Sequence, residues 1–403
     1  MVSQKLQNNL NNSSWIRAMF EEGEKLVNQF GEENVFDYSL GNPDYEPPYQ
    51  VLESLKKHAT NGKNIHQYMN NAGYIDVRKQ VANKISKEFK NNVPNKNIVM
   101  TCGAAGGLNV VLKTILNDSD EVIVFSPYFA EYKFYIDNHN GKFVSVSTDS
   151  NTFEPDLKEL SKKITSRSKA IIINSPNNPT GIVYSEEILK NLSKVISKKE
   201  LELGIKILVI SDEPYTKLLY DNIKIPHIFS YFNNSVIINS YSKSMALAGE
   251  RIGYIAVHPK LENLELFMSG LIFANRILGF VNAPSLFQKV IADSLDISID
   301  MKEYQKRRDF LYNNLIELGF NCIKPQGAFY LFPKTPIDDD ISFAKHATKY
   351  NLLLVPGTGF GCPGYVRIAF CINFSKIKKS IHSFRKLAFD FDMVPSNLRQ
   401  SSY

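Results

Sequence analysis

Residues 235–257 read SVIINSYSKSMALAGERIGYIAV, two apolar runs joined by a polar connection. The runs at 235–240 and 252–257 are rich in β-branched and aromatic residues, which favours strands. Neither run alternates strictly between apolar and polar residues, as a strand with one face in water does. Strands that are apolar on both sides are typical of a sheet covered by helices on both faces. This stretch therefore predicts two buried strands with a polar segment between them.

Five further runs of this kind precede the stretch, and helical patterns separate many of them. They are NIVMT (97–101), EVIVFS (121–126), KFVSVS (142–147), KAIIINS (169–175) and IKILVIS (205–211). Alternation of strands and helices is typical of an α/β fold with a mainly parallel sheet. We expect a large domain at 50–285, with a mostly parallel seven-stranded sheet flanked by helices.

The last third of the chain has a different pattern. Helical patterns run from 285 to 318 and from 375 to about 389, and an amphipathic helix is predicted near the start at 13–30. Short strand-like runs lie between the two C-terminal helices, namely GAFYLFP (327–333), LLLVPGTGF (352–360) and GYVRIAF (364–370). We expect a smaller α+β domain built from residues 1–49 and 286–403.

Composition argues against several classes of protein. The net charge is +6, from 47 basic and 41 acidic residues, and no basic stripe interleaved with aromatic residues indicates nucleic-acid binding. The four cysteines form no C-x-x-C pair and no histidines complete a zinc pattern, so we expect no metal and reduced thiols. The polar N-terminus lacks a signal-peptide core, and no apolar run approaches the ~20 residues of a membrane span. We therefore expect a soluble, cytoplasmic protein.

Polar and aromatic residues follow five of the predicted strands at their carboxyl ends. In an open parallel sheet, ligands bind beyond these ends. The residues in question are Ala104 and Ala105 in the turn TCGAAGG, Phe129, Asn178, Asp212, Tyr215, Ser240, Ser242, Lys243 and Arg251. We expect them to surround one site.

The chemistry of these residues suits a single ligand. Lys243 in a partly dry site would have a lowered pKa and act as an amine nucleophile, although a lysine at a helix start also commonly extends into water. Arg251, serine hydroxyls and helix N-terminal amides bind phosphate. Asp212 is suited either to cap a helix or to pair with a buried cation. With Phe129 as a stacking face, the set matches a phosphorylated aromatic aldehyde with a cationic ring nitrogen, which is pyridoxal 5′-phosphate (PLP).

Several segments also carry a family resemblance. SPNNPTG (175–181), SDEPY (211–215) and SYSKSMALAGERIGY (240–254) occur in order, together with GNPDYEPP, HQYMNNAGYIDVRKQVA and GYVRIAF. The chain resembles the class I/II aminotransferases, fold-type I PLP enzymes related to aspartate aminotransferase, from about residue 35 to 372. The resemblance implies the PLP-dependent transferase fold of type I. It also implies a two-half-reaction (ping-pong) aminotransferase that moves an amino group from an L-amino acid to a 2-oxo acid through a Lys243 Schiff base.

The resemblance also implies roles for the cofactor-binding residues. Lys243 looks like the lysine that binds the cofactor and later moves the proton, and Asp212 like the partner of the ring nitrogen. Tyr215 and Asn178 look like the groups on the ring oxygen. Phe129 matches the stacking aromatic residue, where many relatives have Trp or Tyr. Arg251, Ser240 and the amides of Ala104 and Ala105 match the family's phosphate-binding groups. The family's usual polar residue in the turn at 101–107 is missing, so backbone groups would contribute more to phosphate binding.

Three more residues match positions around the substrate. Arg367 resembles the arginine that clamps the substrate's α-carboxylate, and Gly41 a backbone position that borders the substrate together with Asn178. Tyr68 resembles a tyrosine that reaches the phosphate in the neighbouring subunit, which implies a homodimer; a surface-loop tyrosine is an equally good interpretation. For a second cation that would read an acidic side chain, Arg17 and Arg276 are both candidates.

Other functions are compatible with parts of this pattern. A PLP-dependent C–S β-lyase uses the same scaffold, and fold and cofactor do not fix the reaction type. A PLP-binding regulator is disfavoured, because the roughly 35 residues before FDYSLGNPD are too few for a DNA-binding module and linker. A dinucleotide-binding protein is weaker still, since no G-x-G-x-x-G follows the first strand.

Overall fold

The computed structural model describes residues 1–12 and 14–394, and all seven predicted strands form one sheet. Strands β1 to β8 are Phe36–Asp37, Ile98–Thr101, Glu121–Phe125, Lys142–Val146, Ser168–Asn174, Leu208–Asp212, Ser235–Ser240 and Gly253–Val257. The sheet has the order β2-β8-β7-β6-β5-β3-β4, and only β8 runs in the direction opposite to the other six strands. The predicted mostly parallel seven-stranded sheet is confirmed.

Helices cover both faces of this sheet. Helices α1 to α10 are Gln4–Asn12, Ser14–Phe30, Tyr49–Asn61, Ile75–Phe89, Gly103–Ile115, Glu131–Asn138, Leu157–Lys163, Glu186–Leu203, Leu264–Ile277 and Ser285–Ser294. One face packs Ile237 of β7 against α3, α4, α7, α8 and α10, and the other packs Ile238 against α5, α6 and α9. Successive strand residues point to opposite faces, so a sheet covered on both sides needs strands without polar alternation.

A second core lies in the C-terminal third. Strands β9 to β12 are Tyr330–Leu331, Leu352–Leu353, Val355–Pro356 and Val366–Ala369, and helices α11 to α13 are Met301–Glu317, Asp340–Ala347 and Phe374–Asp390. Strand β12 pairs antiparallel with β9 and β11, whereas β1 pairs in parallel with β10. The N-terminal segment thus pairs with the C-terminal elements through β1. Within the described residues, no helix is both long and apolar enough to cross a membrane.

The prediction of one continuous helix over 285–318 is wrong. The structure has α10 and α11 with a break at residues 295–300. Asp300 starts α11 as its N-cap, because its carboxylate accepts a hydrogen bond of 2.9 Å from the Lys302 amide. The Ile299 amide donates a 2.9 Å hydrogen bond to the Ser244 carbonyl oxygen. This bond connects the break to the segment that holds Lys243. The division at residue 285 stays a prediction, and α10 packs in the first core with α3.

Candidate active site

A cavity of about 260 Å³ lies at the carboxyl edge of the sheet, on the face covered by α5 and α6. Strands β5, β6 and β7 are neighbours and parallel, so the residues after each strand meet at this edge. Ten of the predicted residues line the cavity, namely Ala104, Ala105, Phe129, Asn178, Asp212, Tyr215, Ser240, Ser242, Lys243 and Arg251. The structure therefore brings together the residues that the strand ends predicted.

Lys243 points into this cavity as an amine with a lowered pKa. Its Nζ donates a 2.6 Å hydrogen bond to the Gly41 carbonyl oxygen. Burial lowers its pKa to about 8, and the positive charges of Arg367 and Arg251 act in the same direction, against an opposing effect of Cys371. A substantial fraction of the amine is therefore neutral near pH 8, as a nucleophile or proton acceptor requires.

Asp212 ends β6 and is buried at the base of the same cavity. Its Oδ2 accepts a 2.5 Å hydrogen bond from the Tyr132 hydroxyl, whereas Oδ1 has no hydrogen-bond partner among the described residues. Burial raises the pKa of Asp212 to about 6, and the hydrogen bond from Tyr132 opposes that rise. A turn rather than a helix follows, so helix capping is not its role. The open oxygen suits a cationic N–H donor.

Positive groups converge at the opposite side of the cavity. Helix α5 begins at Gly103, and its N-cap, Cys102, supplies no side-chain hydrogen bond to the first amides. Arg251 adopts a left-handed backbone conformation (φ 53°) and its Nη1 donates to the Ala248 carbonyl at 2.8 Å. Gly103 has a φ of 71°, a left-handed conformation that favours glycine, and the Arg251 guanidinium lies close to its Cα. Uncapped amides beside a guanidinium favour a phosphate.

Arg367 on β12 is buried, and two of its guanidinium nitrogens donate hydrogen bonds. Its Nη1 donates to Asn178 Oδ1 at 3.2 Å and its Nη2 to the Ser39 carbonyl at 2.5 Å. The guanidinium carbon lies 4.8 Å from the ring centres of both Tyr330 and Phe360, while Nε has no partner within the described part of the chain. Burying a cation without an anion is unfavourable, so this group suits a carboxylate ligand.

Three aromatic residues around the site were not predicted. Tyr132 donates to Asp212, and Tyr135 also lines the cavity. The Tyr330 hydroxyl lies 3.0 Å from the Tyr215 hydroxyl, and a Cβ added at Gly41 would lie 2.1 Å from it. Tyr132 follows Phe129 by three residues, a spacing that could have indicated a shared face; Tyr330 gave no local signal.

Tyr68 and Arg276 do not line the cavity, whereas Gly41 contacts Lys243 through its backbone. Tyr68 is 93% exposed and lies outside the cavity lining. The Arg276 guanidinium lies 5.1 Å from the ring centre of Phe273 on α9. The side chain of Arg17 lies outside the part of the chain whose side chains are described. The Gly41 carbonyl oxygen accepts the hydrogen bond from Lys243 Nζ, and its predicted place beside the substrate stays a prediction.

Comparison with known proteins identifies close similarity along most of the chain. The family model described as aminotransferase class I and II matches residues 33–384. A probable aspartate aminotransferase of Methanocaldococcus jannaschii is 33% identical over 350 residues, covering 85% of this chain and 90% of the relative. The aspartate aminotransferase of Thermotoga maritima is 30% identical, covering 91% and 92%. A crystal structure of an amino transferase from Eubacterium rectale is 38% identical, covers 97% of this chain and 100% of that chain, and superposes with a TM-score of 0.94.

Proposed function

The chain belongs to the class I and II aminotransferases, and we propose that it moves an amino group from an L-amino acid to a 2-oxo acid with Lys243 as the catalytic amine and PLP as cofactor. The carrying observation is the buried Oδ1 of Asp212, which has no hydrogen-bond partner among the described residues and lies in the same cavity as Lys243. An acceptor without a donor in a buried site needs a ligand group to satisfy it, and the protonated ring nitrogen of PLP is such a group.

The other cavity residues fit the remaining parts of the cofactor. Arg251, Ser240, Ser242 and the amides of Ala104 and Ala105 would hold the phosphate. Phe129 would pack on the ring, and Tyr215 and Asn178 would contact the ring oxygen. When bound, PLP withdraws electrons from the Cα of the amino acid and makes its proton acidic.

Lys243 would then act as the base at that carbon. Its Nζ has a pKa of about 8, so it exchanges a proton near neutral pH more readily than an ordinary lysine. Positioned general bases of this kind contribute roughly 10²- to 10⁴-fold to a rate. The Gly41 carbonyl oxygen, 2.6 Å away, orients the amine.

Arg367 would hold the substrate's α-carboxylate. Its Nε has no hydrogen-bond partner in the part of the chain that the structure describes, which supports this role because a guanidinium edge binds both oxygens of a carboxylate. Asn178 Oδ1 accepts a hydrogen bond from the Arg367 guanidinium and would orient it. Every amino-acid and oxo-acid substrate shares the α-carboxylate, so this contact would be common to all of them.

We also propose that the working enzyme is a homodimer in which Tyr68 reaches the partner's site. Tyr68 is 93% exposed, which supports a role at a surface between subunits. Mixing the Tyr68→Phe and Lys243→Ala variants tests this: hybrid dimers keep one site with both residues intact, so activity above that of either variant is expected. No gain on mixing contradicts a shared site.

Transamination assays test the proposed reaction. Purified protein is incubated with PLP, L-aspartate (the donor that the relatives' names suggest) and 2-oxoglutarate, and then with a panel of other donors and with pyruvate or oxaloacetate. We expect visible absorbance of bound PLP and 2-oxoglutarate-dependent transfer, both lost in Lys243→Ala and kept in the exposed control Lys217→Ala. Retained turnover in Lys243→Ala removes that lysine from its role. Pyruvate release from cystathionine without transfer would instead identify a C–S β-lyase.

A further inference from the structure

The side chain of Tyr330 contacts three residues of the candidate active site. Its hydroxyl lies 3.0 Å from the Tyr215 hydroxyl, and a Cβ added at Gly41 would lie 2.1 Å from it. Its ring centre lies 4.8 Å from the guanidinium carbon of Arg367. Tyr330 itself is 2% exposed and lies outside the lining of the cavity. It is therefore a buried residue behind the site that touches groups proposed to bind the cofactor and the substrate.

The pairing of β9 with β12 places Tyr330 beside Arg367. Tyr330 is opposite Ala369 in this antiparallel pair, and Arg367 precedes Ala369 by two residues. Residues two apart in a strand point to the same face of a sheet, and diagonal neighbours on that face are within reach of aromatic and long side chains. The backbone register therefore holds the Tyr330 ring near the guanidinium, where an aromatic ring stabilises a cation.

The hydroxyls of Tyr215 and Tyr330 carry two protons but share one hydrogen bond. Burial raises the pKa of Tyr330 to about 12 and the pKa of Tyr215 well above its ordinary value, so both hydroxyls stay protonated at neutral pH. Asp212 and Arg367 also face Tyr215; Asp212 adds to the rise of its pKa and Arg367 opposes it. One proton lies between the two oxygens, and the other is available for a further acceptor.

The positions of the two residues decide which proton is available. If Tyr215 donates, the second proton belongs to Tyr330, whose hydroxyl has no other hydrogen-bond partner among the described residues. If Tyr330 donates, the second proton belongs to Tyr215, which lines the cavity. A buried donor without an acceptor is unfavourable, so the second arrangement is favoured once a ligand supplies an acceptor in the cavity.

We propose that Tyr330 is a positioning residue for both the cofactor and the substrate, an inference that rests on the proposed function. Its hydroxyl donates to the Tyr215 oxygen, which directs the Tyr215 proton towards the ring oxygen of PLP. An oxygen that accepts a hydrogen bond is a stronger donor through its own proton, so this bond strengthens the contact with the cofactor. The Tyr330 ring supports the Arg367 guanidinium in the orientation that receives the α-carboxylate.

Absorbance titration of the PLP-loaded enzyme between pH 5 and 9.5 tests the role of the hydroxyl. A stronger donor at the ring oxygen favours its negatively charged form, so Tyr330→Phe should raise the midpoint by roughly 0.2–0.6 pH units. In the Tyr215→Phe background the same substitution should cause no further shift, because the bond between the hydroxyls is already absent. Tyr304→Phe is the matched control and should keep the wild-type midpoint, because the buried Tyr304 hydroxyl has no partner in the part of the chain described.

Steady-state kinetics of two variants separate the ring from the hydroxyl. Tyr330→Phe keeps the ring and should leave the KM of the amino donor within about twofold of the wild-type value. Tyr330→Leu removes the ring and should raise the KM roughly 3- to 30-fold for amino and oxo acids of every side-chain type, because the guanidinium loses an aromatic contact. Melting temperature reports whether Tyr330→Leu folds; if it does not, Tyr330→Met takes its place.

Each role has results that overturn it. An unchanged midpoint in Tyr330→Phe, or an equal shift in the Tyr215→Phe background, refutes the role of the hydroxyl, and a lower midpoint shows that Tyr215 donates to Tyr330 instead. Equal KM values in Tyr330→Phe and the variant without the ring refute the role of the ring. If the wild type shows the absorbance of bound PLP, these results refute the role of Tyr330 alone; a wild type without that absorbance refutes the proposed function as well.

Discussion

Replacing Tyr132 by Phe removes the one hydrogen bond that the Asp212 carboxylate receives among the described residues. The Tyr132 hydroxyl donates to Oδ2 at 2.5 Å, while Oδ1 has no partner within residues 1–12 and 14–394. Burial already raises the pKa of Asp212 to about 6, and the hydrogen bond limits the rise. A hydrogen bond to a charged group contributes about 1.5–3 kcal/mol, and one pKa unit corresponds to about 1.4 kcal/mol. The substitution should therefore raise the pKa of Asp212 by roughly one to two units, to about 7–8.

The measurement is the affinity of the apoenzyme for PLP between pH 5.5 and 9, followed by fluorescence. Protonated Asp212 cannot pair with a cationic ring nitrogen, so affinity falls as pH decreases through the Asp212 pKa. In Tyr132→Phe this fall should begin one to two pH units higher. At pH 7 the ionised fraction of Asp212 drops enough to weaken PLP binding roughly two- to tenfold, whereas at pH 9 the two proteins should bind alike.

Tyr135→Phe is the matched control for this experiment. Tyr135 lines the same cavity, but no hydrogen bond joins its hydroxyl to Asp212. Titration of PLP itself is common to all variants and cancels in the comparison. An unshifted pH profile in Tyr132→Phe, or an equal shift in Tyr135→Phe, would refute the reasoning.

Three other substitutions or titrations probe the remaining groups. Arg367→Ala should raise the KM of all amino and oxo acids roughly 30- to 1,000-fold, because truncating one partner of a buried charged contact loses about 2–4 kcal/mol. The control Arg276→Ala should leave the KM of non-acidic substrates unchanged. A loss confined to acidic substrates in steady-state kinetics would show that Arg367 binds the substrate's side chain instead. Gly41→Ala should lower the free energy of unfolding by about 1–3 kcal/mol, because the added Cβ would lie 2.1 Å from the Tyr330 hydroxyl. Calorimetry should show that stability is partly recovered in the double variant Gly41→Ala/Tyr330→Phe. If stability does not recover, the clash is not with the Tyr330 hydroxyl. In the apoenzyme, the rate at which Lys243 reacts with trinitrobenzenesulfonate should rise with pH with a midpoint near pH 8, because its lowered pKa makes the amine neutral at lower pH. Peptide mapping at each pH measures the extent of reaction at Lys243. A midpoint above pH 10 would contradict the lowered pKa.

The sheet could be predicted because its strands carry a local signal. Six of the seven strands are almost entirely buried, so their composition alone separates them from the amphipathic helices around them, whereas β4 at the edge of the sheet is only partly buried. The cavity followed from the same reasoning, since parallel neighbours place their carboxyl ends together and ten predicted residues meet there. Roles at those positions came from the chemistry of the set and from the family resemblance.

What the sequence did not reveal depends on contacts between distant residues. Tyr330 reaches Tyr215 across 115 positions, and neither lies in a pattern that predicts the pair. The break after α10 was missed because residues 295–300 include three isoleucine or leucine side chains that continue the helical pattern. Its cause is partly tertiary, since the Ile299 amide donates to the Ser244 carbonyl oxygen, and partly local, since Asp300 caps the next helix. Propensity was overridden by packing at that point.

Burial shifts the pKa values of Lys243 and Asp212, the two groups proposed to bind opposite ends of the cofactor, in opposite directions. Both shifts disfavour the charged form. The pKa of Lys243 falls to about 8 and that of Asp212 rises to about 6, from ordinary values of 10.5 and 3.8. Each shift corresponds to about 3 kcal/mol of unfavourable free energy for the charged form. A ligand that supplies a cation to Asp212 and a bonding partner to the Lys243 amine relieves both. The stability lost by burying these groups in the apoenzyme therefore becomes binding selectivity, because only a ligand with both features recovers it.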